Sequence, residues 1–197
     1  MNKPVSFLRI SPLLAAVLVA LIQTAVLGYM VESRASILRN GVDVRLKTVP
    51  IDPRDLLRGD YVTLGYAIST IDRSMIVGET PKTAGRQTMA VRLVPGADEL
   101  WSASQASFGS LPEQPGSVVA RTLPFDYYPG AEGEVPESIF VSYGIERYYV
   151  PEGEGRVLEE ARNAQALEVA ARVSSAGRMQ IRQILLDGKP VYDEPLY

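Results

Sequence analysis

The stretch Leu13–Val31, LLAAVLVALIQTAVLGYMV, contains no charged residue, and no second run of this kind follows it. In a helix that rises 1.5 Å per residue, its length roughly matches the ~30 Å hydrocarbon core of a bilayer. A helix satisfies its own backbone hydrogen bonds, so lipid can surround it. The sequence therefore predicts one transmembrane helix in contact with the lipid bilayer. It follows a short basic segment, residues 1–12, and continues as a juxtamembrane helix to about residue 39.

A cleaved secretory signal is the alternative for this N-terminus, because Lys3 and Arg9 form the basic region that such signals carry. The apolar run is longer than the usual signal core, however, and Val26-Leu27-Gly28 is a poor cleavage site. Lys3, Arg9 and the amino terminus precede the helix, whereas Glu32 follows it directly and Arg34 and Arg39 come next, so the bias in positive charge is slight. This bias favours an N-terminus in the cytoplasm and a domain on the other side of the membrane. A cytoplasmic domain is the alternative.

The residue types that the chain lacks exclude several kinds of chemistry. It has no histidine and no cysteine. Zinc sites, Ser-His-Asp triads, Cys-His dyads and disulfides are therefore excluded. The net charge is −3 and no basic run follows a phosphate-binding pattern, so we expect no nucleic-acid partner. We also expect no metal and no cofactor.

The segment after the anchor mostly predicts β-strands. Alternation of apolar and polar residues, bounded by Pro, Gly and Asn, is the signal. One helix is predicted over Arg156–Gln165, which is rich in Glu, Ala and Arg. We expect residues 42–197 to form one mainly β domain, a sandwich or small barrel, with one packed α-helix. The predicted strands are Val42–Val49, Met89–Val94, Leu100–Phe108, Val118–Leu123, Ile139–Val150, Leu167–Val173, Met179–Leu186 and Pro190–Tyr192.

A short helical turn is predicted just before a further strand, within Pro50–Tyr66. Asp52 is a good N-cap, and Pro53 occupies the first helical position. Gly59 can adopt the positive φ that ends such a turn, and Asp60 can hold the corner through nearby amides. These residues therefore have a structural explanation.

The strand that follows has two different faces. Val62, Leu64, Tyr66 and Ile68 share one face, which we expect to join the core. Tyr61 lies on the opposite face, where its ring could meet a partner. The alternative is that the Arg156–Gln165 helix covers this ring.

Five residues of this segment, Gly59, Asp60, Tyr61, Leu64 and Tyr66, match each fixed position of the pattern GDYXXLXY. Tyr143–Gly153 and Asp187–Tyr192 are also similar to members of the family that bears this name. The chain therefore resembles the GDYXXLXY family of small bacterial membrane-anchored proteins. The resemblance implies a protein of the bacterial envelope with no assigned biochemical function and no catalytic residues to carry over. With the charge bias, we expect a single-pass protein of the inner membrane.

Other candidate sites are weaker. Tyr127 and Tyr128 could form an exposed aromatic loop at the membrane interface and are, with Tyr61, our candidate partner contacts. The alternative, which we favour, is that this loop packs back on the domain. The acidic residues between 132 and 137 lack the spacing of a calcium loop. A Ser-Lys hydrolase would need its serine before the Gly-Asp step, whereas Ser74-Met75 lies after it.

The sequence leaves several functions open. We expect a non-enzymatic binding or assembly module of the envelope, whose partner is another membrane protein. A lipid or small-ligand carrier and a hydrolase are the alternatives. Two carboxyls about 5–10 Å apart in a cleft would favour a glycosidase. The candidate carboxylates are Asp52, Asp55, Asp60, Glu146, Glu152 and Glu154.

Overall fold

The structure is a computed structural model that describes residues 11–50, 61–130, 133–151 and 155–194. Two helices and a series of short strands make up these ranges, with 3₁₀ turns at Ala67–Ser69 and Arg73–Met75. In chain order the elements are α1 (Pro12–Asn40), β1 (Val42–Val49), β2 (Tyr61–Thr63), β3 (Gly65–Tyr66), β4 (Thr70–Asp72), β5 (Gly85–Gln87), β6 (Ala90–Pro95), β7 (Trp101–Ser107), β8 (Val118–Arg121), β9 (Phe125–Tyr127), β10 (Ser138–Phe140), β11 (Arg147–Tyr149), α2 (Gly155–Asn163), β12 (Leu167–Val173), β13 (Met179–Leu186) and β14 (Lys189–Asp193).

Helix α1 has an exposed apolar half and a half that packs on the domain. Ser11 caps its N-terminus by accepting a hydrogen bond from the Leu14 amide, and Pro12 occupies the first turn. Every residue up to Glu32 is exposed. The last two turns bury Ala35, Ile37 and Leu38, and α1 contacts β12 and β13 there. The helix is long and apolar enough to cross a membrane.

An arginine locks the end of α1 to the sheet. The Arg172 guanidinium donates hydrogen bonds to the carbonyls of Leu38 and Arg39, which lack partners within the helix. The same guanidinium binds Asp43 through Nε and Nη2, at 3.0 and 3.1 Å. Gly41 joins helix and strand where a Cβ would lie 2.6 Å from the Ile37 carbonyl oxygen, so only glycine fits. Helix α1 therefore meets β1 with only Gly41 between them.

The main sheet is antiparallel, with the strand order β14-β13-β12-β1-β3. In its centre Val44 lies opposite Ala171 and Leu46 opposite Val169, and all four are buried. A three-stranded sheet β7-β6-β8 and the pairs β4–β10, β2–β11 and β5–β9 complete the described sheets, and one buried apolar cluster joins them. The prediction of a mainly β domain with a packed helix and an N-terminal apolar helix is confirmed. The sheets are open, so the small barrel is wrong.

Two predicted strands are interrupted. The run Ile139–Val150 divides into β10 and β11, because Gly144 has a φ of +86° and turns the chain between them. The run from Val62 to Ile68 divides into β2, β3 and a 3₁₀ turn, although its apolar side chains remain buried. Strand β1 has its predicted bounds, and α2 confirms the predicted helix but ends at Asn163.

The ion pair at the α1 junction makes the stability of the domain depend on pH. Burial acts to raise the pKa of Asp43, but the hydrogen bonds and charges of Arg172 and Arg182 hold that pKa below its ordinary value of 3.8. Ionised Asp43 therefore stabilises the folded state above about pH 4, and the contribution is lost as pH falls through the lowered pKa. Because the Asp43 side chain is half exposed, we expect less than about 1 kcal/mol.

Thermal unfolding of the full chain in detergent, followed by circular dichroism, measures this contribution. Asp43→Asn should lose less stability than the wild type on going from about pH 5 to pH 2. Asp126→Asn removes an exposed carboxylate elsewhere and should keep the wild-type profile. Parallel profiles for the wild type and the Asp43 variant would show that ionisation of Asp43 does not contribute to the pH dependence of stability.

Candidate functional site

The described residues of the motif divide between the core and the surface. Leu64 and Tyr66 are each 1% exposed and lie in the core, as the alternation predicts. The Tyr66 hydroxyl donates to the Ile145 carbonyl oxygen over 2.6 Å. Burial, and to a lesser degree the charge of Glu146, raises the pKa of Tyr66. This phenol therefore remains a neutral donor, with a structural role.

The described motif residues are hydrogen-bonded to Tyr143–Tyr149, the first part of the family-like segment Tyr143–Gly153. The Leu64 amide donates to the Glu146 carbonyl oxygen over 2.8 Å, and β2 pairs with β11. In the other direction, the Tyr143 hydroxyl donates to the Ile68 carbonyl oxygen over 2.7 Å. The two segments are nearly eighty residues apart in sequence, yet they form one structural unit.

One carboxylate shapes the turn in this unit. Glu146 accepts hydrogen bonds from the backbone amides of Tyr143 and Gly144 through its two oxygens. It therefore holds the turn that ends in β11. Glu146 is the one described member of our candidate carboxylates. Both of its carboxylate oxygens accept hydrogen bonds from the backbone, as expected of a structural cap.

The outer face of the β2–β11 pair carries three side chains in contact. Tyr149 lies opposite Tyr61, and their ring centroids are 6.0 Å apart at 57°. The Arg147 Cζ lies 5.5 Å from the centre of the Tyr61 ring, within the range of a cation–π contact. We call these residues, Tyr61, Arg147 and Tyr149, the tyrosine–arginine face.

The tyrosine–arginine face is open to solvent. Tyr149 is 74% exposed and Tyr61 is half-buried. Helix α2 contacts β2, and the buried Arg162 donates to the Thr63 carbonyl oxygen over 2.6 Å. The helix leaves part of the Tyr61 ring accessible. The alternation Arg147-Tyr148-Tyr149 indicates one ring in and one out, but only the register of β11 against β2 brings Tyr149 beside Tyr61.

One candidate partner contact is wrong. Tyr127 is 2% exposed and packs edge-on against Phe108, with ring centroids 4.9 Å apart. Strand β9 turns Asp126 outward and Tyr127 inward, and burial raises the pKa of its hydroxyl. A partner therefore cannot reach this ring. Its neighbour Tyr128 is 69% exposed, but it belongs to a different part of the surface.

The structure describes only some of the candidate residues from the sequence. Within the described ranges, no three His, Cys, Asp or Glu residues cluster in a way that could hold a metal ion. Glu134, from the acidic loop, pairs with Arg73 at 3.3 Å. The candidates outside the ranges are Asp52, Pro53, Asp55, Gly59, Asp60, Glu132, Glu152 and Glu154.

The fold and this site define a mainly β domain carried on an N-terminal apolar helix. A family model described as "GDYXXLXY protein" matches residues 23–184 of the chain. The chain therefore belongs to the GDYXXLXY family. The match includes the second half of the apolar segment as well as the motif and the Tyr143–Tyr149 segment. Comparisons with curated proteins and with solved structures find no match.

We expect the buried motif residues Leu64 and Tyr66 to stabilise the folded domain. Leu64→Ala and Tyr66→Ala should each lower the free energy of unfolding by about 2–5 kcal/mol, because each leaves a cavity in the core. Tyr128→Ala removes an exposed side chain and should change it by less than about 0.5 kcal/mol. Denaturant unfolding of the full chain in detergent provides the comparison. Similar values for Leu64→Ala and Tyr128→Ala would show that Leu64 is not a core residue.

Proposed function

We propose that this protein is a membrane-anchored, non-enzymatic binding or assembly module of the bacterial envelope. Its partner is another membrane protein, which docks on the tyrosine–arginine face. The observation that carries the proposal is the exposed apolar surface of helix α1. It exposes its apolar residues along Leu13–Val31 and then enters the domain without a break. A long apolar surface in water would be unstable, whereas a bilayer covers it.

The position of the face supports a partner in the same membrane. Glu32 directly follows the apolar segment, and the last turns of α1 pack against β12 and β13. The rigid junction at Gly41 and Arg172 holds the domain close to the bilayer surface. A membrane protein beside the anchor could then reach the face without a long extension.

The chemistry of the face supports binding. Tyr and Arg are enriched among the residues that dominate protein interfaces, since they combine apolar area with polar tips. Tyr61, Arg147 and Tyr149 provide this combination on one pair of strands. Glu146, the described candidate for carboxylate catalysis, instead accepts hydrogen bonds from two backbone amides. These observations favour a binding module over a hydrolase.

The binding role predicts a selective loss of partner. Crosslinking in native membranes, followed by purification of the tagged full chain, should recover a membrane protein. The double variant Tyr61→Ser/Tyr149→Ser should reduce this recovery at least about tenfold, as expected when two interface anchors are lost. Tyr128→Ser, an equally exposed tyrosine elsewhere, should retain it. Equal recovery in both variants would contradict the proposed face.

The proposed orientation can be tested with single cysteines, because the chain has none of its own. With an external domain, Ser175→Cys should react with a membrane-impermeant maleimide in intact spheroplasts, since Ser175 is exposed. Ser6→Cys, before the helix, should react only after the membrane is opened. The reverse pattern would place the domain in the cytoplasm. A mature chain that begins beyond the apolar segment would show cleavage instead of anchoring.

A further inference from the structure

A cavity lies where the anchor helix meets the motif unit. It has a volume of about 320 Å³ and opens beside β11, which pairs on its other side with β2. Helix α1 contributes Arg34, β11 contributes Arg147 and Tyr149, and the β13–β14 side contributes Gln180 and Glu194. The lining thus includes two arginines and one glutamate.

Helix α1 determines how far this cavity lies from the apolar segment. Arg34 is three residues beyond Val31, and α1 is continuous over both. At 1.5 Å per residue, Arg34 lies about 5 Å beyond the apolar segment. The headgroup layer of a bilayer extends roughly 5–7 Å beyond the hydrocarbon core. If α1 spans the membrane, as the proposed function states, the cavity lies level with the phospholipid headgroups.

The charges in the cavity match a particular type of headgroup. Arg34 is exposed, and neither Arg34 nor Arg147 forms an ion pair with a carboxylate inside the described ranges. Guanidinium groups bind phosphate oxygens through paired N–H donors. Glu194 lies against the buried Tyr148 hydroxyl, whose pKa is raised by burial and by this carboxylate. One carboxylate and two arginines therefore line the same cavity.

We infer that this cavity binds the headgroup of an aminophospholipid from the surrounding membrane leaflet. Arg34 and Arg147 hold the phosphate diester, and Glu194 accepts hydrogen bonds from the primary ammonium. The exposed Tyr149 ring lies beside them at the interface, the depth that tyrosine favours. Phosphatidylethanolamine carries the required groups. Phosphatidylcholine has the same phosphate, but its quaternary ammonium has no N–H to donate.

This inference rests on the anchoring in the proposed function. The cavity shares Arg147 and Tyr149 with the tyrosine–arginine face, whereas Arg34 and Glu194 belong to the cavity alone. A bound headgroup would fix the rotation and height of the domain on the bilayer.

Native mass spectrometry of the full chain in detergent tests the site. The probes are dihexanoylphosphatidylethanolamine, dihexanoylphosphatidylcholine and inorganic phosphate, each titrated separately. We expect one ethanolamine lipid to bind per chain, and the choline lipid and inorganic phosphate to bind at least about tenfold more weakly. Inorganic phosphate binding as tightly as the ethanolamine lipid would overturn the inference, because the site would then be a simple anion site.

Variants separate this site from general electrostatics. Arg34→Gln should weaken ethanolamine-lipid binding about tenfold or more, and Arg86→Gln, an exposed arginine on β5, should leave it unchanged. Glu194→Gln should remove the preference for ethanolamine over choline. Equal losses in Arg34→Gln and Arg86→Gln, or an unchanged preference in Glu194→Gln, would overturn the inference. Circular dichroism of each variant verifies that the fold is retained.

The two proposals fail in different ways. Tyr61→Ser should keep lipid binding while it weakens partner recovery. In detergent, Arg34→Gln should weaken lipid binding and keep partner recovery. Loss of partner selectivity with retained lipid binding would remove the proposed partner face alone. Loss of lipid selectivity with retained partner recovery would remove the lipid site alone.

Discussion

The contact of Arg172 with the end of helix α1 is the interaction on which the arrangement of this protein depends. A helix end leaves several carbonyl groups without partners, and Arg172 binds two of them. The same side chain is paired with Asp43 on the neighbouring strand, and Arg182 approaches that carboxylate from β13. Because Gly41 permits the close approach of helix and sheet, these contacts fix the direction of α1 relative to β1 and β12.

The GDYXXLXY motif has a different task on the same domain. Its inward residues, Leu64 and Tyr66, are tied to the Tyr143–Tyr149 segment by main-chain and side-chain hydrogen bonds. This leaves one described motif residue, Tyr61, at the surface, where it contacts Arg147 and Tyr149. Two of the three described motif residues thus have structural roles, and the exposed Arg147 and Tyr149 beside Tyr61 come from outside the motif.

Local pattern predicted the elements that depend on neighbouring residues. The apolar length of Leu13–Val31, the alternation in β1 and β12 and the burial of Leu64 and Tyr66 all follow from periodicity. Predictions failed where a turn or a distant contact decided the outcome. Gly144 and the Glu146 cap divide one expected strand into β10 and β11. Tyr127 packs against Phe108 in the core, which removes this ring from the candidate partner contacts.

The sequence by itself determined the apolar helix, the β-rich character of the domain and the exclusion of histidine and cysteine chemistry. These properties depend on composition and on short-range periodicity. Only the tertiary structure decided that Tyr149 lies beside Tyr61, that Arg172 reaches the end of α1, and that Arg34 shares a cavity with Glu194. Each of these pairs is widely separated in the chain. Its partners are selected by strand register and by the packing of the helix, which no local pattern contains.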